Sequence, residues 1–217
     1  MRGWIGMMGA VVLAMGLGVS GHAQAQPWVP YVSLEDQFAQ SFPTAPTVEP
    51  FEWTDEDENK VPGNKYTSER NGSTYTLYAM DYSGSRFTAM RGAIAHWATH
   101  YRQMGDVTYD AYAQVDRIEG HQLQVTTPEG RRIFFAAFLE GPRLYVLDAN
   151  VAARAAPPSQ FQQSLQILDA SGIRVRYTQE GERILRTDDL TEGLEGAGEE
   201  GCILEGTSDI PICPEED

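Results

Sequence analysis

The chain has 217 residues, and 31 Asp and Glu against 16 Lys and Arg give it a formal net charge of −15 at pH 7. A surface this acidic repels a phosphate backbone, which argues against a nucleic-acid partner. The length suits one sizeable core and is short for two.

The opening, MRGWIGMMGAVVLAMGLGVSGHAQAQPW, places Arg2 ahead of an apolar run over residues 4–19 and ends in Ala23-Gln24-Ala25. A charged start, an apolar middle and an A-x-A end predict a secretory signal peptide over residues 1–25, with Gln26 as the mature N-terminus. The run is Gly-rich and shorter than the roughly 20 apolar residues of a membrane span. The expected location is the bacterial periplasm or the medium beyond it. Gly16, Gly18 and Gly21 also spell G-x-G-x-x-G. That fingerprint needs a strand before it and a helix after it to cradle a phosphate, and here it falls inside the leader.

Residues 26–178 read as a single domain. YVSLEDQFAQSF predicts two short strands around a Glu35-Asp36 turn, and PTVEPFEWT a third with Val48, Phe51 and Trp53 as its apolar positions. A charged loop, TDEDENKVPG, precedes a hairpin whose turn is Asn71-Gly72, the dipeptide best suited to positive φ in a two-residue loop. Tyr75, Leu77 and Ala79 alternate with Thr74, Thr76 and Tyr78, the period of a half-buried strand. Over residues 86–104 the period changes. Phe87, Met90, Ile94, Trp97, Tyr101 and Met104 recur at spacings of three and four and predict one long amphipathic helix, with Ser83 or Ser85 to cap its start and Gly105 to end it. A strand follows in VTYDAYAQVDRI. Three more antiparallel strands then turn at Pro128-Glu129-Gly130 and Glu140-Gly141-Pro142. PPSQFQQSLQILD predicts a second, shorter helix with Phe161, Leu165 and Leu168 as its buried stripe, and IRVRYT a last strand. The expected fold is α+β: a twisted antiparallel sheet packed by one long and one shorter helix.

Residues 179–217 hold 13 acidic residues and 2 arginines, are rich in Gly and Glu, and are expected to stay mostly unfolded. Both cysteines, Cys202 and Cys213, lie there. An oxidising compartment favours a disulfide between them, with two thiols or a bridge to a partner as alternatives.

SLEDQFAQSFPTAPTVEPFEW, MRGAIAHWATHY, VDRIEGHQLQVTTPEGRRIFFAAFLEGPRLYVLDANV and FQQSLQIL together resemble the small exported bacterial proteins of the PsbP-like sandwich, among them the Mog-type and DcrB-type proteins. The similarity lies in strand and helix order over residues 28–178. It implies an α/β/α sandwich and an accessory or binding role in place of catalysis. Photosynthetic members support a membrane complex and Mog members bind a GTPase, roles too divergent for a functional residue to be carried over.

Candidate sites are few. HWATH sets His96 and His100 four apart on a helix, the spacing of a zinc pair. However, Trp97 stands where a metalloprotease has its general-base Glu, and a helical projection turns both imidazoles to the flank of the apolar stripe. The pair is the candidate metal site, and two surface histidines the alternative. DEDEN matches the start of a calcium loop, but Lys60 and Tyr66 occupy the places of its turn glycine and bidentate glutamate. Asn71-Gly72-Ser73 is formally a glycosylation sequon that the turn explains. No G-x-S-x-G, P-loop or C-x-x-C occurs. Asp81, Asp110, Asp116 and Asp148 are single acids at strand ends with no acid–base pairing visible in their spacing. The sequence therefore predicts a non-catalytic accessory or protein-binding domain, without a cofactor, that engages an envelope protein by a sheet face or strand edge. A small-ligand or metal carrier is the alternative.

Overall fold

The computed structural model describes residues 27–184; the leader, most of the acidic tail, and Cys202 and Cys213 with their expected bridge lie outside the described residues. The first two strands, β1 (Val29–Ser33) and β2 (Phe38–Phe42), form a hairpin. Next come β3 (Thr47–Thr54), β4 (Lys60–Arg70) and β5 (Ser73–Asp81). Helix α1 (Phe87–Arg102) is followed by β6 (Asp106–Val115), β7 (Ile118–Thr126), β8 (Arg132–Glu140) and β9 (Arg143–Val151). The chain closes with α2 (Ser159–Gln163) and three two-residue strands, β10 (Gln166–Ile167), β11 (Arg176–Tyr177) and β12 (Arg183–Ile184).

One antiparallel sheet of seven strands dominates, in the order β3-β4-β5-β9-β8-β7-β6. Its central strands are buried on both faces, so β8 and β9 carry nearly unbroken apolar runs. Phe134, Ala136, Phe138, Tyr145, Leu147 and Ala149 face one core; Ile133, Phe135, Ala137, Leu144 and Val146 face the other. The second core lies under α1. Ala89, Ala93 and Ala98 bring the helix close to the sheet, and Trp97 and Tyr101 fill the space. Full burial of each large side chain contributes roughly 2–3 kcal/mol. The first core is closed by a three-stranded sheet, β1-β2-β10, together with Phe161 of α2 and Leu165.

That second closure corrects the expected fold class. Strand makes up 53% and helix 13% of the described residues, so the protein is a β-rich sandwich and not an α+β fold with two packing helices. The α/β/α layering implied by the PsbP-like resemblance fails for the same reason. The predicted second helix stops after Gln163, because the outer side of β2 needs a strand partner. Gln166 pairs with Ala39, Ile167 pairs with Phe38, and Ser41 N–H donates to Ser164 Oγ (3.1 Å). Phe161, Leu165 and Ile167 reach the same core by this route as a continued helix stripe would reach it. The long helix is present but shorter than predicted. Arg86 is its N-cap, with no side-chain cap, and Gln103 its C-cap.

Two-residue turns join β4 to β5, β6 to β7 and β8 to β9. Asn71 and Gly72 have φ of 51° and 71°, the predicted type I′ geometry. The turn from β6 to β7 does the same with Asp116 (φ 50°) and Arg117 (φ 66°), residues with no glycine freedom. It is clamped from outside. Arg174 makes a two-pronged pair with Asp116 (2.7 and 2.9 Å), and Tyr177 N–H donates to the Asp116 carbonyl (3.2 Å).

Candidate functional site

The seven-stranded sheet has two edges, and they differ. β3 is defended. Pro50 gives no ladder donor, Glu49 pairs with Lys65 (2.8 Å), Glu52 pairs with Lys60 (3.4 Å), and Phe51 and Trp53 fold inward over α1. β6 is a ten-residue strand with no proline or lysine. One of its sides is bonded to β7, and among the described residues no strand pairs with the other. In an antiparallel ladder, alternate N–H and C=O groups along that open side point away from the sheet. Val107 (42% exposed), Tyr109 (45%) and Tyr112 (59%) stand on it. A bulge between Val107 and Tyr109 interrupts the start of the strand, and residues 109–115 pair regularly.

The charge on this edge is neutralised locally. Arg102, in the last turn of α1, donates to both oxygens of Asp110 (2.8 and 3.2 Å), and His121 Nε2 lies 2.6 Å from Asp110 Oδ1. The Arg102 hydrogen bonds are the main cause holding the Asp110 carboxyl below the usual carboxylate range, with His121 adding to them. Gln114 Nε2 donates to the Tyr112 hydroxyl (2.8 Å) on the same face. Asp110 was visible in the sequence as a single acid. Arg102 and His121 were not visible as its partners, because the three meet only when β7 pairs with β6 beneath the end of α1.

The two histidines of HWATH pack on one indole. Trp53 stacks on Trp97 (centroids 3.9 Å apart), and the rings of His96 and His100 meet Trp53 edge-on at 5.6 and 5.3 Å. His96 Nε2 also lies 3.2 Å from the Thr54 carbonyl. Burial, and His96 beside it, lower the pKa of His100. His121 is spent on Asp110, and among the described residues no group of three or more His, Cys, Asp or Glu is placed to hold a metal ion. The DEDEN loop closes on itself. Asp55 is buried, and its Oδ1 accepts from the backbone N–H groups of Asp57 (2.9 Å) and Asn59 (2.8 Å). Burial pushes its carboxyl up, and the Asn59 and Asp57 hydrogen bonds outweigh that and bring it below its ordinary value.

The other acids each find a partner of a different kind. Asp148, on β9, faces α1 and accepts from the Tyr101 hydroxyl (3.1 Å); its second oxygen is shut from solvent and has no hydrogen-bond partner among the described residues. Burial pushes it up to about 6. Asp36 fastens the β1–β2 turn to the main sheet. It accepts from Tyr66 and from Asn64 (2.8 Å) and faces Arg143 (3.7 Å), while the Tyr145 hydroxyl reaches the carbonyls of Asp36 and Gln37 at 3.0 Å. Asp81 accepts from Ser83 N–H (2.8 Å).

An open recess of about 620 Å³ lies at the end of the sheet, walled by Trp28, Tyr75, Pro157 and Pro158. Arg70 lines it but donates to the carbonyls of Pro27 and Pro43. Among the described residues no helix is long and apolar enough to cross a membrane. The chain matches no protein-family model, and no curated protein matches it as a relative.

Proposed function

We propose that this chain is a non-catalytic, exported binding domain, periplasmic or secreted, that engages a polypeptide partner along the open edge of β6. The observation that carries the reading is the contrast between the two sheet edges. β3 is blocked by Pro50 and charged pairs, whereas β6 offers seven regularly paired residues with exposed tyrosines and a neutralised acid. Natural sheets block an edge unless something covers it, and an extended segment added to an open edge gains main-chain hydrogen bonds along its length. The signal-peptide pattern supports export.

A photo-crosslinking residue at Tyr112, expressed in the native host, tests it against the same residue at Val48 on β3. The expected result is a polypeptide adduct at position 112 and none at 48. Equal labelling at both, or none at 112, overturns the reading. A second reading, a small-ligand carrier, rests on the Trp28–Tyr75 recess; its mark is ligand-dependent quenching of Trp28 fluorescence that Tyr75→Ala abolishes.

A further inference from the structure

The sequence of β6 bears on what covers it. We propose that the occupant is a second copy of this chain, paired antiparallel with β6 about a two-fold axis through Tyr112, so that two seven-stranded sheets become one. This rests on the reading of β6 as a docking edge.

The argument is one of self-complementarity. A two-fold axis perpendicular to the sheet carries each face onto the same face of the second copy, so residues on one face meet residues of that face. Asp110 and Tyr112 pair with Leu123 and His121 of β7 and lie on the α1 face with Gln114; Tyr109, Ala111, Ala113 and Val115 lie on the other. With Tyr112 on the axis, Tyr112 meets Tyr112, Ala111 meets Ala113, Asp110 meets Gln114 and Tyr109 meets Val115. The aromatic pair and the aromatic ring opposite a β-branched side chain stabilise antiparallel neighbours; the small pair is neutral, and Asp110, held by Arg102 and His121, meets the neutral Gln114, so no like charges face each other.

Neighbouring registers are worse. An axis through Asp110 sets two carboxylates opposite each other, and one through Ala113 sets Asp110 opposite Asp116. An axis through Ala111 sets each Tyr112 ring opposite the Asp110 carboxylate and forfeits the aromatic pair. The stretch 109–115 lies beyond the bulge, so nothing in the strand interrupts the pairing. An unrelated partner would require no such symmetry in β6.

Sedimentation of the full chain from about 1 to about 500 μM tests the proposal, the range in which a single strand-edge contact is expected to associate. The expected result is a monomer–dimer equilibrium. Tyr112→Lys, at a position exposed enough to leave folding intact, weakens it at least ~tenfold by setting two ammonium groups together, while Val48→Lys on β3 leaves it unchanged. The register is read separately. In a Cys202→Ser, Cys213→Ser background, Tyr112→Cys forms an intermolecular disulfide on oxidation and Tyr109→Cys does not, because only the residue on the axis meets itself within disulfide reach. A monomer throughout the range, or a dimer indifferent to Tyr112→Lys, overturns the proposal. If the monomer result accompanies an adduct to a different polypeptide at position 112, the second copy is refuted and the edge reading stands. If no adduct forms at 112, both fall.

Discussion

Asp148→Asn isolates the cost of one buried charge. The Asp148 carboxyl sits on the α1 face of β9 with one oxygen on the Tyr101 hydroxyl and the other without a partner among the described residues. Burial raises its pKa from 3.8 to about 6, and the Tyr101 hydrogen bond pulls it down by less. A group whose folded pKa is raised binds its proton more tightly in the folded state. Its contribution is therefore fully present below pH 3.8 and is lost as the pH rises through about 6. Relative to a neutral group of the same shape, the charge costs about 1 kcal/mol at pH 4.5 and about 3 kcal/mol at pH 7.5. Asparagine keeps the acceptor for Tyr101 and removes the charge, so the stability difference between variant and wild type should shift toward the variant by about 2 kcal/mol between those two pH values. Urea unfolding at both pH values measures it, and taking the variant-minus-wild-type difference cancels the other titrating groups. A difference that is the same at both, or that moves toward wild type at pH 7.5, refutes the reasoning.

Two further outcomes follow from the geometry. Arg117→Gly removes a non-glycine residue from positive φ in the β6–β7 turn; the relief of about 1–2 kcal/mol exceeds the backbone entropy glycine adds to the unfolded chain, so urea unfolding should show a gain of about 0.5–1 kcal/mol, and a loss would contradict the strain. Calorimetry with zinc should give the same trace for wild type and for His96→Ala with His100→Ala, because both rings are packed on Trp53 and His121 is held by Asp110; heat lost in the double variant would reinstate the pair as ligands.

Much of the fold could be read locally. The Asn71-Gly72 turn, the strand β5, the apolar stripe of α1 and the three-strand run through IFFAAF and LYVL are written in neighbouring residues, and the structure shows each; the expected half-burial of β5 is not seen, because Leu77 and Ala79 face one core, Met80 faces the other and Thr76 is buried as well. Local period misled at residues 164–168, where Leu165 and Leu168 fit a helix stripe and the chain turns into β10 instead. The β6–β7 turn carried no glycine signal, so VDRI read as continuous strand. Of the candidate site, the strand and its tyrosines were legible, and their exposure was not.

The sequence by itself determined which segments alternate, which run helical and where glycine or proline turns the chain, because those preferences depend on a residue and its near neighbours. Tertiary structure alone decided that β10 and not a helix closes the first core, that Asp148 loses water beneath Tyr101, that Arg102 and His121 converge on Asp110, and that β3 is a guarded edge and β6 an open one. Strand order sets all four. It brings together residues 127 and 129 positions apart, as when Ala39 and Phe38 take Gln166 and Ile167 for partners, and no short-range pattern records which strand will lie beside which.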